Sequence, residues 1–162
     1  MSKENIKYLI MDVDGTLTDG KIYMGNDREL FKAFNIKDGC GIHDILIPAG
    51  IKPVIISGRK STILENRCKE LGITELHQNI SNKVEKLDDI LKEIKLSYSN
   101  VAYIGDDIND LSCMQSIKEH GGIVGCPADA IKKVINLADY VCSKNGGEGA
   151  VREFIDWILG GD

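Results

Sequence analysis

Four short groups of residues in this 162-residue chain have types and spacings that could do chemistry. Asp12 and Asp14 flank Val13 just ahead of Gly15-Thr16; Asp106 and Asp107 are adjacent, with Asn109 and Asp110 close behind; Ser57-Gly58-Arg59-Lys60 and Lys83 lie between them. Two neighbouring carboxylates repel unless a cation or a basic residue is near, so Asp106-Asp107 points to a bound metal ion. The other groups also have ordinary readings. Aspartates before a glycine cap helices or make Asx turns, Ser-Gly is a common turn, and Lys83 by itself reads as a solvated surface charge.

The segments leading into these groups give them meaning. Residues 6–11, 53–56 and 101–104 are short, nearly continuous apolar runs, as in strands covered on both faces of a parallel sheet. Helical periodicity follows at 62–71, closed by Gly72, and at 84–94, where Val84, Leu87, Ile90, Leu91 and Ile94 recur behind Ser81 or Asn82 as caps. Strands are also predicted at 73–76, 122–125 and 140–142, and helices at 39–48, 109–118, 128–136 and 150–159. Residues 21–24 and 29–34 flank Gly25-Asn26-Asp27 and predict a β-hairpin. The alternation predicts an α/β fold on a parallel sheet, whose ligands sit where strands deliver their C-terminal ends. Three strands end in the polar groups above.

At 43% hydrophobic, with 17 Gly and 3 Pro, the composition predicts one domain over residues 1–162, the hairpin being an insertion at about 20–35. Five cysteines without zinc-like spacing read as reduced thiols, and three scattered histidines carry no role. A net charge of −5 disfavours nucleic acid and anionic membrane as partners. No apolar run approaches the roughly 18 residues of a membrane span. The chain is expected to be soluble and cytoplasmic.

In the order Asp-x-Asp-Gly-Thr, Ser-Gly, Lys and Gly-Asp-Asp-x-x-Asp, the four groups together resemble the haloacid dehalogenase superfamily of phosphotransferases. The resemblance implies Asp12 as the nucleophile that forms an aspartyl phosphate, with Mg2+ held by the Asp12 carboxylate, the Asp14 backbone carbonyl and Asp106. Asp107, Asn109 and Asp110 would stand behind these ligands. Asp14 would protonate the departing oxygen and then activate water, while Ser57, the Gly58 amide and Lys83 would bind the phosphoryl group. The negative charge gathered there asks for more cations, and Arg59 and Lys60 are expected to meet the substrate, with Arg67 a further specificity contact. Asp14 itself points to a phosphatase or phosphomutase, because dehalogenases lack it and ion-pumping ATPases have threonine there.

Members of this superfamily mostly carry a cap domain in one of two gaps. Forty residues separate Thr16 from Ser57 and 25 separate Ser57 from Lys83, all taken by predicted elements. An open site needs a macromolecular substrate or cover from another subunit. The hairpin, with Ile22, Tyr23, Met24, Leu30, Phe31 and Phe34, offers an apolar surface for self-association.

A closer likeness runs through Leu17-Thr18-Asp19-Gly20, residues 34–39, Ser57-Gly58-Arg59-Lys60, residues 103–107 and residues 146–153. Over nearly the whole chain it resembles the family of 3-deoxy-D-manno-octulosonate 8-phosphate phosphatases. That resemblance implies a capless, Rossmann-like, doubly wound fold, Mg2+ dependence and a homotetramer whose neighbours wall the site. It also implies a cytoplasmic sugar phosphate substrate that leads to lipopolysaccharide. Two alternatives stay open: a phosphatase for nonulosonate 9-phosphates (Kdn or N-acetylneuraminate), and a non-catalytic assembly partner of a CMP-sugar synthetase. Relatives acting on 9-phosphates tend to carry Glu where this chain has Arg59, which favours the octulosonate. Glu148 stands where octulosonate phosphatases often have Lys or Arg.

Overall fold

The computed structural model describes residues 3–161; Met1, Ser2 and Asp162 lie outside the described residues. Six parallel strands form the main sheet in the order β5-β4-β1-β6-β7-β8. They are β1 (Tyr8–Met11), β4 (Lys52–Ile56), β5 (Glu75–His77), β6 (Val101–Ile104), β7 (Ile123–Cys126) and β8 (Tyr140–Val141). The chain builds outward from β1 through β4 to β5, then returns to β6 on the other side of β1. The strand order therefore switches between β1 and β6, where a ligand is expected in such sheets.

Alternation along the strands produces two cores. Leu9, Met11, Ala102 and Ile104 face one layer, made by α1 (Ile36–Cys40) and its continuation, α2 (Thr62–Leu71) and α6 (Ala150–Ile158). Ile10, Val54, Ile56, Val101 and Tyr103 face α3 (Lys83–Ile94), α4 (Ile108–Glu119) and α5 (Lys132–Leu137). Period-2 side chains on fully covered strands give this sandwich directly.

The hairpin is a separate two-stranded sheet, β2 (Tyr23–Met24) and β3 (Glu29–Phe31), with a bulge beside Tyr23 and that ring stacked on Phe31 at 4.3 Å. Only the hairpin and the α1 segment separate β1 from β4, and only α2 and β5 separate β4 from α3, so neither gap holds a cap. No helix among the described residues is long and apolar enough to cross a membrane.

Beyond shortened hairpin arms and a strand β5 displaced to Glu75–His77, two helices depart from the predicted boundaries. The helix expected at 39–48 begins at Ile36, capped by the Asn35 side chain, and widens to a π-helical turn over Gly41–Leu46. A methyl on Gly41 would press on Arg152 and Ile155 of α6. The helix expected from 128 begins at Lys132, because the Ala128 amide is drawn to the Lys144 carbonyl and the Ile131 amide to that of Asp106.

Candidate active site

Asp12 follows β1 directly, and its amide donates to the Ile104 carbonyl at 3.0 Å, tying it to the neighbouring strand end. Gly105 and Asp106 follow β6. A Cβ on Gly105 would strike Asp110, so the glycine is what lets that carboxylate lie beneath the loop. There Asp110 accepts the Asp106 and Asp107 amides on Oδ2 (3.0 and 3.2 Å) and the Tyr103 hydroxyl (2.6 Å) and Lys83 Nζ (2.8 Å) on Oδ1. Lys83 Nζ also donates to Asp12 Oδ1 at 2.6 Å. A single ammonium, 3% exposed, thus holds the β1 and β6 ends together from below. A buried charge persists only when paired in this way.

Oxygens of Asp12, Asp106 and Asp110 lie within 4.8 Å of one another. Burial, followed by the charge of Asp110, raises the proton affinity of Asp12 against the pull of Lys83. Burial and the charge of Asp12 raise that of Asp106 further, against the hydrogen bond from the Thr16 hydroxyl. Burial alone would lower the Lys83 pKa, but Asp12 and Asp110 outweigh it and keep the ammonium charged. Asp110 engages both oxygens with four side-chain and amide donors, whereas Asp12 and Asp106 each take one side-chain donor on Oδ1, which leaves an Oδ2 on each without a side-chain donor. All-oxygen donors crowded to mutual repulsion fit a hard divalent cation. Gly15 adopts φ +97°, and an L side chain on it would collide with the Asp106 carboxylate.

Asp14 lies on the open side of the same loop. Its Oδ1 accepts from Lys32 Nζ at 2.6 Å, and Lys32 also pairs with Glu29 at 2.9 Å. Glu29 in turn accepts from the Ser61 hydroxyl at 3.0 Å and lies 3.6 Å from Arg59. The hairpin therefore reaches both the loop after β1 and the loop after β4. Ser57 is buried, with its Oγ accepting the Arg59 amide at 3.3 Å, while Gly58, Arg59 and Lys60 are exposed at the rim. On the third side, Gly146 and Gly147 lie against Gly15 and Thr18, and the Gly147 amide donates to the Thr16 carbonyl at 3.1 Å. Glu148 is exposed beyond them.

Several placements differ from the sequence reading. Lys83, expected at the phosphoryl group, is buried with its ammonium between Asp12 and Asp110. Of the three residues expected behind the metal ligands, only Asp110 lies there. Asp107 is exposed and caps α4, taking the Ile108 amide at 2.6 Å, and Asn109 is exposed on the first turn of that helix. Arg67 points under α1, pairing with Glu70 at 2.8 Å and lining a small apolar cavity with Phe34 and Asp38. Lys32, Glu29, Thr16 and Tyr103 were not foreseen. Lys32 had one signal: it is the sole charge inside the apolar run 30–34. Of the six hairpin residues expected to be exposed, Ile22, Met24, Leu30 and Phe31 are, whereas Tyr23 is half-buried and Phe34 joins the core.

Residues 70–155 match the family model described as haloacid dehalogenase-like hydrolase. Over 156 residues the chain is 47% identical to the 3-deoxy-D-manno-octulosonate 8-phosphate phosphatase of Escherichia coli K12, a match covering 96% of this chain and 80% of that one. The cobalt-bound deoxy-D-mannose-octulosonate 8-phosphate phosphatase of Haemophilus influenzae superposes with a TM-score of 0.91 at 39% identity, covering 98% of this chain and 90% of the other. A Moraxella catarrhalis phosphatase of the same name, solved with magnesium, phosphate and a KDO molecule, gives 0.90 at 36% identity, covering 97% and 87%.

Proposed function

Because the chain belongs to the 3-deoxy-D-manno-octulosonate 8-phosphate phosphatase family of haloacid dehalogenase-like hydrolases, we propose that it hydrolyses that sugar acid phosphate. The observation that carries the reading is the meeting of Asp12, Asp106 and Lys83 at the strand-order switch. Asp12 and Asp106, with the Asp14 backbone carbonyl, would hold Mg2+. When bound, the ion neutralises the phosphate dianion and the attacking carboxylate so that the two can approach in line.

The remaining steps fall to the chain's own groups. The Asp12 carboxylate attacks phosphorus as the bond to the sugar oxygen breaks, and Asp14 gives that oxygen a proton. Water then attacks the aspartyl phosphate, returns a proton to Asp14, and releases phosphate with Asp12 restored. Ser57, the Gly58 amide and Lys83 steady the phosphoryl oxygens. Arg59 and Lys60, exposed at the rim, suit the carboxylate and hydroxyls of the sugar acid. The product is a free 2-keto-3-deoxy sugar acid of the kind used for lipopolysaccharide.

Ile22, Met24, Leu30 and Phe31 are 42–60% exposed on the hairpin, an apolar surface that supports assembly into a homotetramer. The test is Mg2+-dependent phosphate release from octulosonate 8-phosphate beside Kdn 9-phosphate and N-acetylneuraminate 9-phosphate. A kcat/KM preference of about a hundredfold for the octulosonate is expected, with Asp12→Asn losing at least roughly a thousandfold. Preference for a nine-carbon substrate would overturn the substrate. Inactivity on all three, with an intact oligomer, would favour the assembly role instead.

A further inference from the structure

Lys32 belongs to neither the acidic cluster nor the phosphate-binding loop, yet its side chain is 3% exposed and its ammonium is shared by Asp14 and Glu29. A lysine on a solvated hairpin would ordinarily keep its charge in water. Burying it costs free energy unless both neighbours are held in place. Glu29 is so held: the hydroxyl of Ser61, the N-cap residue of α2, makes no cap and is turned to Glu29 instead. A helix that forgoes its cap loses stability, so this hydroxyl is committed to the network. The result is an unbroken line, Asp14–Lys32–Glu29–Ser61, that crosses the hairpin and joins the loop after β1 to the loop after β4.

From this line we infer that Lys32 is a positioning residue for the reaction, and that Glu29 positions Lys32. The inference rests on the acid and base role proposed for Asp14. Lys32 occupies Oδ1 of Asp14, and among the described residues no group donates to Oδ2. Rotation of the carboxylate is thereby restrained, and Oδ2 is the oxygen left to exchange the proton with the sugar oxygen and then with water. A carboxylate free to rotate would present a correctly aimed oxygen only part of the time. Misplacement on the scale of 1 Å costs on the order of a hundredfold in rate.

The alternative, that the ion pairs merely fasten the hairpin, predicts a different signature, because a sugar alkoxide needs a proton to leave and p-nitrophenolate does not. Lys32→Met and Lys32→Arg are compared with wild type on octulosonate 8-phosphate at steady state, and by the pre-steady-state burst of p-nitrophenolate from p-nitrophenyl phosphate. Lys32→Met is expected to lower kcat on the sugar phosphate roughly a hundredfold with KM nearly unchanged, to leave the burst rate within about threefold, and to be largely rescued by Lys32→Arg. Equal loss on both substrates, or none on either, overturns the inference. Should Lys32→Met not fold, Glu29→Gln decides: a loss of about tenfold confined to the sugar phosphate upholds the positioning line, and a uniform loss or none rejects it. Asp14→Asn run alongside separates the two readings. If it shows no leaving-group selectivity, the acid role fails; if it does and Lys32→Met does not, only the role of Lys32 fails.

Discussion

The carboxylates at the ends of β1 and β6 and the charges that arrive from the hairpin face the same space but are held by opposite means. Asp12, Lys83 and Asp110 are each under 5% exposed, and Asp110 alone takes four hydrogen bonds from central elements. Lys32 and Glu29 belong to two short strands that pair only with each other, and their order comes from the ion pairs they make and from the Ser61 hydroxyl of the loop after β4. Burial fixes the first set firmly enough to raise the proton affinity of Asp12. The lesson is a division of labour: Asp12 and its counter-charge are fixed by the sheet itself, while Asp14, two residues on, is met by a cation that an attached hairpin delivers.

If burial is what holds the sheet side, removing its one cation should do the most damage. Lys83→Met leaves Asp12 and Asp110 buried without a counter-charge and is expected to cost about 3–5 kcal/mol, read as a fall in urea midpoint in chelator. A loss under about 1 kcal/mol would mean that the cluster is solvated and the contrast false.

A smaller effect is expected at Asp38, which joins α1 to the start of α6 by accepting the Arg152 amide at 2.9 Å, with the Gly149 and Val151 amides beside it. Burial pushes its carboxyl up to about 6 despite those amides. The unfolded chain releases this proton near pH 4 and the folded one near 6, so stability falls as pH rises through that window and stays lower above it. Asp38→Asn keeps an acceptor and avoids the buried charge. It should gain up to about 3 kcal/mol at pH 7.5 and nothing below pH 4, measured by thermal melts at both. A gain independent of pH would show that the buried charge is not what it relieves.

The smallest effect on the fold is expected on the hairpin. Met24→Glu with Leu30→Glu, both exposed, should change chain stability by no more than about 0.5 kcal/mol. The same pair should lower the mass seen by light scattering. A large loss of stability at unchanged mass would show that the hairpin is as integral as the sheet.

The sheet side was largely legible in the sequence. Apolar runs ending in Asp12, Ser57 and Asp106 mark strand ends, and period-2 and period-3.6 patterns fix which elements carry them. What could not be read was direction. Asp107 and Asp110 are both acidic residues after β6, and only the helical turn that begins at Ile108 decides that the first faces water and the second faces inward. Lys83 follows a cap like many surface lysines, and its burial depends on two carboxylates 71 and 27 residues away. Lys32 was the least legible, since a two-stranded hairpin folds back by long-range ion pairs that leave no periodic trace.

Gly15 carries one further consequence, which concerns handedness. Its φ of +97° is a backbone angle natural to D-residues, and the direction in which an L side chain would leave it is filled by Asp106. L-alanine there would meet both obstacles at once, the backbone angle and the Asp106 carboxylate. The turn after Asp14 is therefore built around a point whose handedness shuts out the encoded side chains, and glycine, which has no hand, is the residue left.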